Sequence, residues 1–152
     1  MKFSTKGRYG LKAMLDLAVH NNEGQVVLKS IAERQGLSEN YLEQLFAVLK
    51  KANLVNGLRG SQGGYSLAKD PYEITVGDIL RPLEGPLVSA DCAAENGEIC
   101  SSEYNCCVTR SVWVKIQEGI NDVTDSITLG QLVEDFNKSR KRKAGTEKGI
   151  HK

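Results

Sequence analysis

Histidine is nearly absent from this 152-residue chain, with only His20 and His151 present. No Ser/His/Asp arrangement for nucleophilic catalysis is found, nor a phosphate-binding loop, so an enzyme is not expected. Long apolar runs are missing as well. No stretch approaches the ~20 residues that span a bilayer, and the opening MKFSTKGRYG lacks the apolar segment of a secretion signal. The chain is therefore expected to be cytoplasmic, with neither a membrane partner nor a small-molecule substrate. All four cysteines fall between Cys92 and Cys107, which excludes the spread disulfide framework of a small secreted domain. The remainder, 40% hydrophobic and 26% charged, suits one compact domain with a helical appendage.

The net charge of +1 conceals a sharp division along the chain. Residues 1–67 hold 9 basic and 5 acidic side chains, residues 68–137 hold 4 and 13, and residues 138–152 hold 7 and 1. A basic front half suits a polyanion, because Lys and Arg contacts to phosphates supply the sequence-independent part of DNA affinity.

The front half also has a recognisable order of elements. From Arg8 to about His20, Leu11, Met14, Leu15 and Ala18 recur at helical spacing. A second helix, Leu28 to Gln35, buries Leu28, Ile31 and Ala32 and stops at Gly36, which tolerates the left-handed conformation after a helix. Ser38 caps a third helix, about Glu39 to Ala52, with Tyr41, Leu42, Leu45, Val48, Leu49 and Ala52 on the buried stripe. Asn40, Glu43, Gln44, Ala47 and Lys51 form the opposite face. Two helices joined by Gly-Leu-Ser match a helix-turn-helix, whose second helix enters the major groove with its N-terminal side chains toward the bases. Asn40, Glu43 and Gln44 stand where such readers belong.

Next come Leu54, Val55 and Leu58, the run Arg59-Gly60-Ser61-Gln62-Gly63-Gly64, and Tyr65 to Leu67, a pattern that predicts two short strands around a glycine-rich tip. This is a β-wing. Glycines at its tip allow close approach to a phosphate or the minor groove, and Arg59 supplies a planar, permanently charged donor. The fold class expected is mainly α, a winged helix-turn-helix domain over residues 1–83.

Beyond the wing, Thr75 to Leu83 reads as a brief helix, and a loop over 84–107 holds the cysteines. Trp113, Ile116, Ile120, Val123 and Ile127 then follow steps of 3 and 4, the seam of a helix packed against another long helix. With the rest of the chain committed to the winged domain, the same helix of a second subunit is the simplest partner, giving a two-fold homodimer through residues 108–137. Leu129, Leu132, Val133 and Phe136 mark one further helix. The ending KSRKRKAGTEKGIHK, residues 138–152, is basic and poor in apolar residues. It is expected to be disordered, either attracting DNA weakly or serving only as a solubilising tail.

Four cysteines within sixteen residues, spaced C-x7-C-x5-C-C, point to metal or redox chemistry. The spacing does not match the short knuckles of structural zinc, and soft thiolates in an open loop suit an iron–sulfur cluster first and zinc second. A dithiol oxidoreductase using Cys106 and Cys107 is the alternative of a different class, but no Cys-x-x-Cys at a helix start is present to activate a thiolate.

STKGRYGLKAMLDLA, IAERQGLSENYLEQLF and LVNGLRGSQGGYSLAKD resemble the bacterial iron–sulfur cluster regulators of the Rrf-type winged-helix family, from Met1 to about Phe136. The resemblance implies a homodimeric transcription regulator or repressor that binds a palindromic double-stranded DNA operator. It also implies a [2Fe-2S] cluster and control of cluster-assembly genes. Tyr9, Asn40, Glu43, Gln44, Arg59, Gly60, Ser61, Gly63 and Gly64 are the DNA-contacting set it suggests, with Glu43 as a selectivity filter. Cys92, Cys100 and Cys107 correspond to the cysteine ligands, the last in register with Trp113. The fourth ligand departs from the pattern. Where an enterobacterial relative has histidine this chain has Arg110, and the first two cysteines stand two residues further apart, which leaves Cys106, Glu98, Glu103 or solvent for that place. A nitric-oxide-sensing branch takes a carboxylate near the first helix, where Arg8 stands here. A cysteine-metabolism branch lacks the cysteine cluster, so both branches fit less well, and a nitric-oxide- or redox-sensing regulator of the same family stays as the alternative.

Overall fold

A computed structural model describes residues 2–60, 63–93 and 106–150. In chain order these form α1 (Thr5–His20), α2 (Leu28–Gln35), α3 (Glu39–Lys51), β1 (Val55–Leu58), β2 (Gly64–Leu67), α4 (Val76–Glu84), α5 (Cys106–Ser126) and α6 (Leu129–Ile150). The protein is mainly helical with one small antiparallel sheet, as its sequence predicts.

The core lies where α1, α2, α3 and the sheet meet. Met14, Leu17, Ile31, Leu42, Phe46, Leu49 and Ile74 are fully buried there. On α3 the buried set is Leu42, Leu45, Phe46 and Leu49, the i, i+3, i+4, i+7 spacing of one helical face. Phe46 thus takes the place the sequence pattern gives to Val48, which is 36% exposed, and Tyr41 and Ala52 are half-buried at the edges of the stripe. Gly36 ends α2 at φ 65°, and the Ser38 hydroxyl accepts from the Tyr41 N–H to cap α3.

α1 begins three residues before the predicted start, because its cap comes from elsewhere in the chain. Glu84 Oε1, at the end of α4, accepts from the Ser4 N–H (2.8 Å), the Ser4 hydroxyl (2.7 Å) and the Gly7 N–H (3.0 Å). These satisfy N–H groups that every helix start leaves open. The buried face of α1 includes Gly7, Gly10 and Ala13 as well as Met14 and Ala18, while Leu11 and Leu15 are only half-buried. A β-carbon at Gly7 or Gly10 would run into Glu84 or Leu83, so α1 and α4 pack closely.

α4 starts in a capping box formed by Thr75 and Asp78. A second apolar cluster, Val76, Leu80 and Leu87, gathers Phe3, Leu11, Ile120, Ile127 and Leu132 around it. Arg81 reinforces the joint, donating to both Asp125 carboxylate oxygens (2.7 and 3.0 Å) and to Asn121 (3.1 Å). Asp125 raises the Arg81 guanidinium above its ordinary value.

Two expectations are corrected here. The sequence predicts a cysteine loop running through Cys107, but Cys106 and Cys107 already open α5. The basic tail expected to be disordered continues α6 as helix to Ile150. No proline interrupts it, and its Lys, Arg and Ala are good helix formers. Among the described residues no helix is long and apolar enough to cross a membrane.

Candidate DNA interface and cysteine site

α3 is held at three places, so its outer face is a fixed surface. The first is the Ser38 cap, and the second is the core stripe beneath. The third is a polar knot between α1 and α2, where buried Asp16 accepts from Arg34 Nη2 (2.6 Å), Arg34 Nε (3.0 and 3.1 Å) and Gln35 Nε2 (2.9 Å). Asp16 raises the Arg34 guanidinium above its ordinary value. His20 Nδ1 lies 2.8 Å from the Asp16 carbonyl. This knot fixes α2 immediately before the turn into α3, and sequence patterning misses it because Asp16 sits mid-helix among apolar neighbours. Asn40, Glu43, Gln44, Ala47 and Lys51 are all exposed on α3, forming one solvent-facing surface. Tyr9 of α1 is half-buried and meets Tyr41 edge-on, with ring centres 6.2 Å apart and planes at 88°. It therefore stands beside the N-terminal turn of α3.

The wing pairs Val55 with Leu67 and Leu58 with Gly64. It is tied to the segment before α2 by a two-way bridge, Val26 N–H to Tyr65 O at 2.9 Å and Tyr65 N–H to Val26 O at 2.8 Å. Asn21 Oδ1 also accepts from the Leu67 N–H at 3.0 Å. Arg59 and Gly60 are exposed at the tip, and Gly60 adopts φ 109°, a conformation open to glycine. Gly63 and Gly64 have packing reasons of their own. A β-carbon at Gly63 would lie 2.5 Å from the Leu58 carbonyl oxygen, and one at Gly64, which is buried, would lie 2.8 Å from the Val26 carbonyl oxygen. Ser61 lies outside the described residues.

The start of the cysteine segment is fastened to α5. The Ser89 N–H donates to Gln117 Oε1 (2.6 Å), the Ser89 hydroxyl to the Trp113 carbonyl (2.8 Å), and Arg110 Nε to the Cys92 carbonyl (3.0 Å). Arg110, which cannot ligate a metal, thus has a positioning task. Half-buried Cys92 forms no disulfide and lies in a short turn, Asp91–Ala93, tied one helical turn beyond Cys106. Cys100, Glu98 and Glu103 lie outside the described residues. Cys106 and Cys107 are described by backbone alone. Among the described residues no metal-binding group of three or more His, Cys, Asp or Glu is assembled.

Beyond Arg110, α5 shows bare apolar surface. Trp113 is 40% exposed, Ile116 43% and Val123 58%. Ile120 and Ile127 instead turn partly into the cluster around Leu80.

A winged helix-turn-helix with this helical extension matches a known family model, described as iron-dependent transcriptional regulator, over residues 3–135. The chain belongs to the Rrf2 family. It is 46% identical over 132 residues to the transcriptional regulator CymR of Bacillus subtilis, covering 87% of this chain and 89% of that one. It is 42% identical over 135 residues to the transcriptional regulator IscR of Aliivibrio salmonicida, covering 89% and 79%. The solved structure of T. potens IscR is 53% identical and superposes with a TM-score of 0.73 over 91% of this chain and 90% of that one. Rrf2 regulators of both kinds therefore stand at comparable identity, and the comparisons do not bear out the lower rank expected for the cysteine-metabolism branch. DNA-binding transcription regulation is common to both.

Proposed function

We propose that this Rrf2 regulator is a homodimer that lays α3 and the wing of each subunit on a palindromic duplex operator. In this reading it senses iron–sulfur cluster status through a [2Fe-2S] cluster and controls cluster-assembly genes. The observation that carries the reading is the fastening of Cys92 to the first turns of α5, the helix that Cys106 and Cys107 begin. Four thiolates in one short segment are chemically suited to iron. Cys92, Cys100 and Cys107 would hold the cluster, with Cys106 a spectator and an oxygen or nitrogen donor such as Glu98 or Glu103 in the fourth place. When bound, such a cluster supplies a redox-responsive centre whose occupancy follows cluster supply. Ser89, Arg110 and Gln117 position the segment against α5, so a change there bears directly on the helix proposed to join the subunits.

The homodimer rests on the uncovered face of α5. An apolar groove of about 410 Å³ lies between α1, α4 and α5, lined by Phe3, Leu11, Leu80, Val123 and Ile127 among others. It offers a second copy's α5 a surface continuous with the exposed residues.

Anaerobic purification, a visible absorption spectrum and iron and sulfide counts test the cluster. Cys92→Ala, Cys100→Ala and Cys107→Ala should each abolish the visible absorption, and Cys106→Ala should largely retain it. Loss on Cys106→Ala with retention on Cys107→Ala would shift the ligand register by one. The similarity to CymR, described for B. subtilis as the global cysteine regulator, favours a second reading, a cysteine-responsive regulator without a cluster. Full operator binding by a protein purified anaerobically with neither iron nor sulfide would support that reading.

A further inference from the structure

The last turns of α6 hold no buried residue among those described. Residues 137–145 are exposed on every side, so the helix has no apolar stripe to hold it down, and packing of such a stripe is the usual source of helical stability. Its cations also repel one another. Lys138 and Lys141, and Arg140 and Lys143, stand three residues apart, where like charges on a helix destabilise it. A helix built this way is stabilised by an anion laid along it. The family match covers residues 3–135, so the basic segment lies beyond the matched part of the chain.

Its place in the fold gives the anion an identity. Half-buried Phe136 of α6 shares a cavity of about 380 Å³ with Arg34 and Gln35, the residues just before the turn into α3. Arg140 stacks on the Phe136 ring, 5.8 Å from its centre. The basic turns thus leave the domain beside the helix-turn-helix, and the 14 residues from Asn137 to Ile150 extend ~21 Å.

We propose that the end of α6 is a second, sequence-independent DNA contact that grips phosphates flanking the operator. This rests on the operator-binding reading above and adds a separate footprint to it. The test is the salt dependence of binding by the full chain, parent against K138Q/K141Q/K143Q, on the operator duplex with and without flanking DNA. Each phosphate contact contributes about 0.9 to the slope of log K against log salt. On flanked duplex the triple variant should therefore lose up to about 2.7 from the slope per subunit, with weaker binding at low salt. The trimmed operator should show no difference, and K138R/K141R/K143R should behave as the parent. An unchanged slope on flanked DNA would overturn the proposal, as would an equal loss on both duplexes. Failure of the parent to bind the operator at all would overturn the DNA reading instead.

Discussion

The winged domain and α5 differ in how they dispose of apolar surface. In the first, Met14, Leu17, Ile31, Leu42, Phe46 and Leu49 have essentially no exposure, while α5 leaves Trp113, Ile116 and Val123 between 40% and 58% exposed. The domain buries its large apolar side chains within one chain, and α5 leaves several of its own bare, the face proposed above to meet a second subunit. Stability and assembly should therefore respond to different residues.

The largest effect is expected in the core. Phe46 is fully buried and its ring lies 4.8 Å from that of Tyr65 in the wing. Phe46→Ala should cost about 3–5 kcal/mol of folding stability, read as a lower denaturant midpoint, and should loosen the wing. A midpoint within error of the parent would show that the core is centred elsewhere. On the other side of the comparison, Ile116→Lys should leave the thermal transition of the subunit nearly unmoved. An uncompensated charge in the seam should weaken association by about 3 kcal/mol, roughly a hundredfold. Sedimentation that still showed dimer would put the interface away from α5. Ile116 serves this purpose better than Ile120, which is half-turned into its own subunit's cluster.

Smaller still are effects at the DNA surface, where neither folding nor assembly should change. Arg59→Ala should weaken operator binding by about 1–3 kcal/mol at matched salt, and unaltered affinity would remove the wing tip from the interface. Glu43→Ala should broaden the range of sequences bound with little loss on the best one. A uniform loss on every sequence would count against its role as a filter.

Local signals were legible where their causes are local. Gly36 and Ser38 announce the turn between α2 and α3, Thr75 opens the segment read as α4, and Arg59 to Gly64 mark the wing. What could not be read depends on residues far apart in the chain. The choice of Phe46 over Val48 is made by Tyr65, the glycine-rich face of α1 by Leu83 and Glu84, and the positioning of Cys92 by Arg110. Composition misled at the C-terminus, where low apolar content implies no packing but does not forbid a helix of good helix formers. The cysteine segment gave its chemistry through residue type alone, and its ligand geometry is not encoded in any periodicity.

The carboxylate of Glu84 has a consequence for the order in which the protein comes into being. It closes the start of α1 from 80 residues downstream, whereas a nascent chain emerges N-terminus first and its domains fold as units. Until Val76–Glu84 has been synthesised and brought back, the first N–H groups of α1 lack their acceptor and its glycine face lacks the surface it fits. Closing so long a loop carries an entropic cost that local helix formation does not repay. The segment made first is therefore finished late, and a ribosome that has released only the helix-turn-helix has not yet released a stable α1.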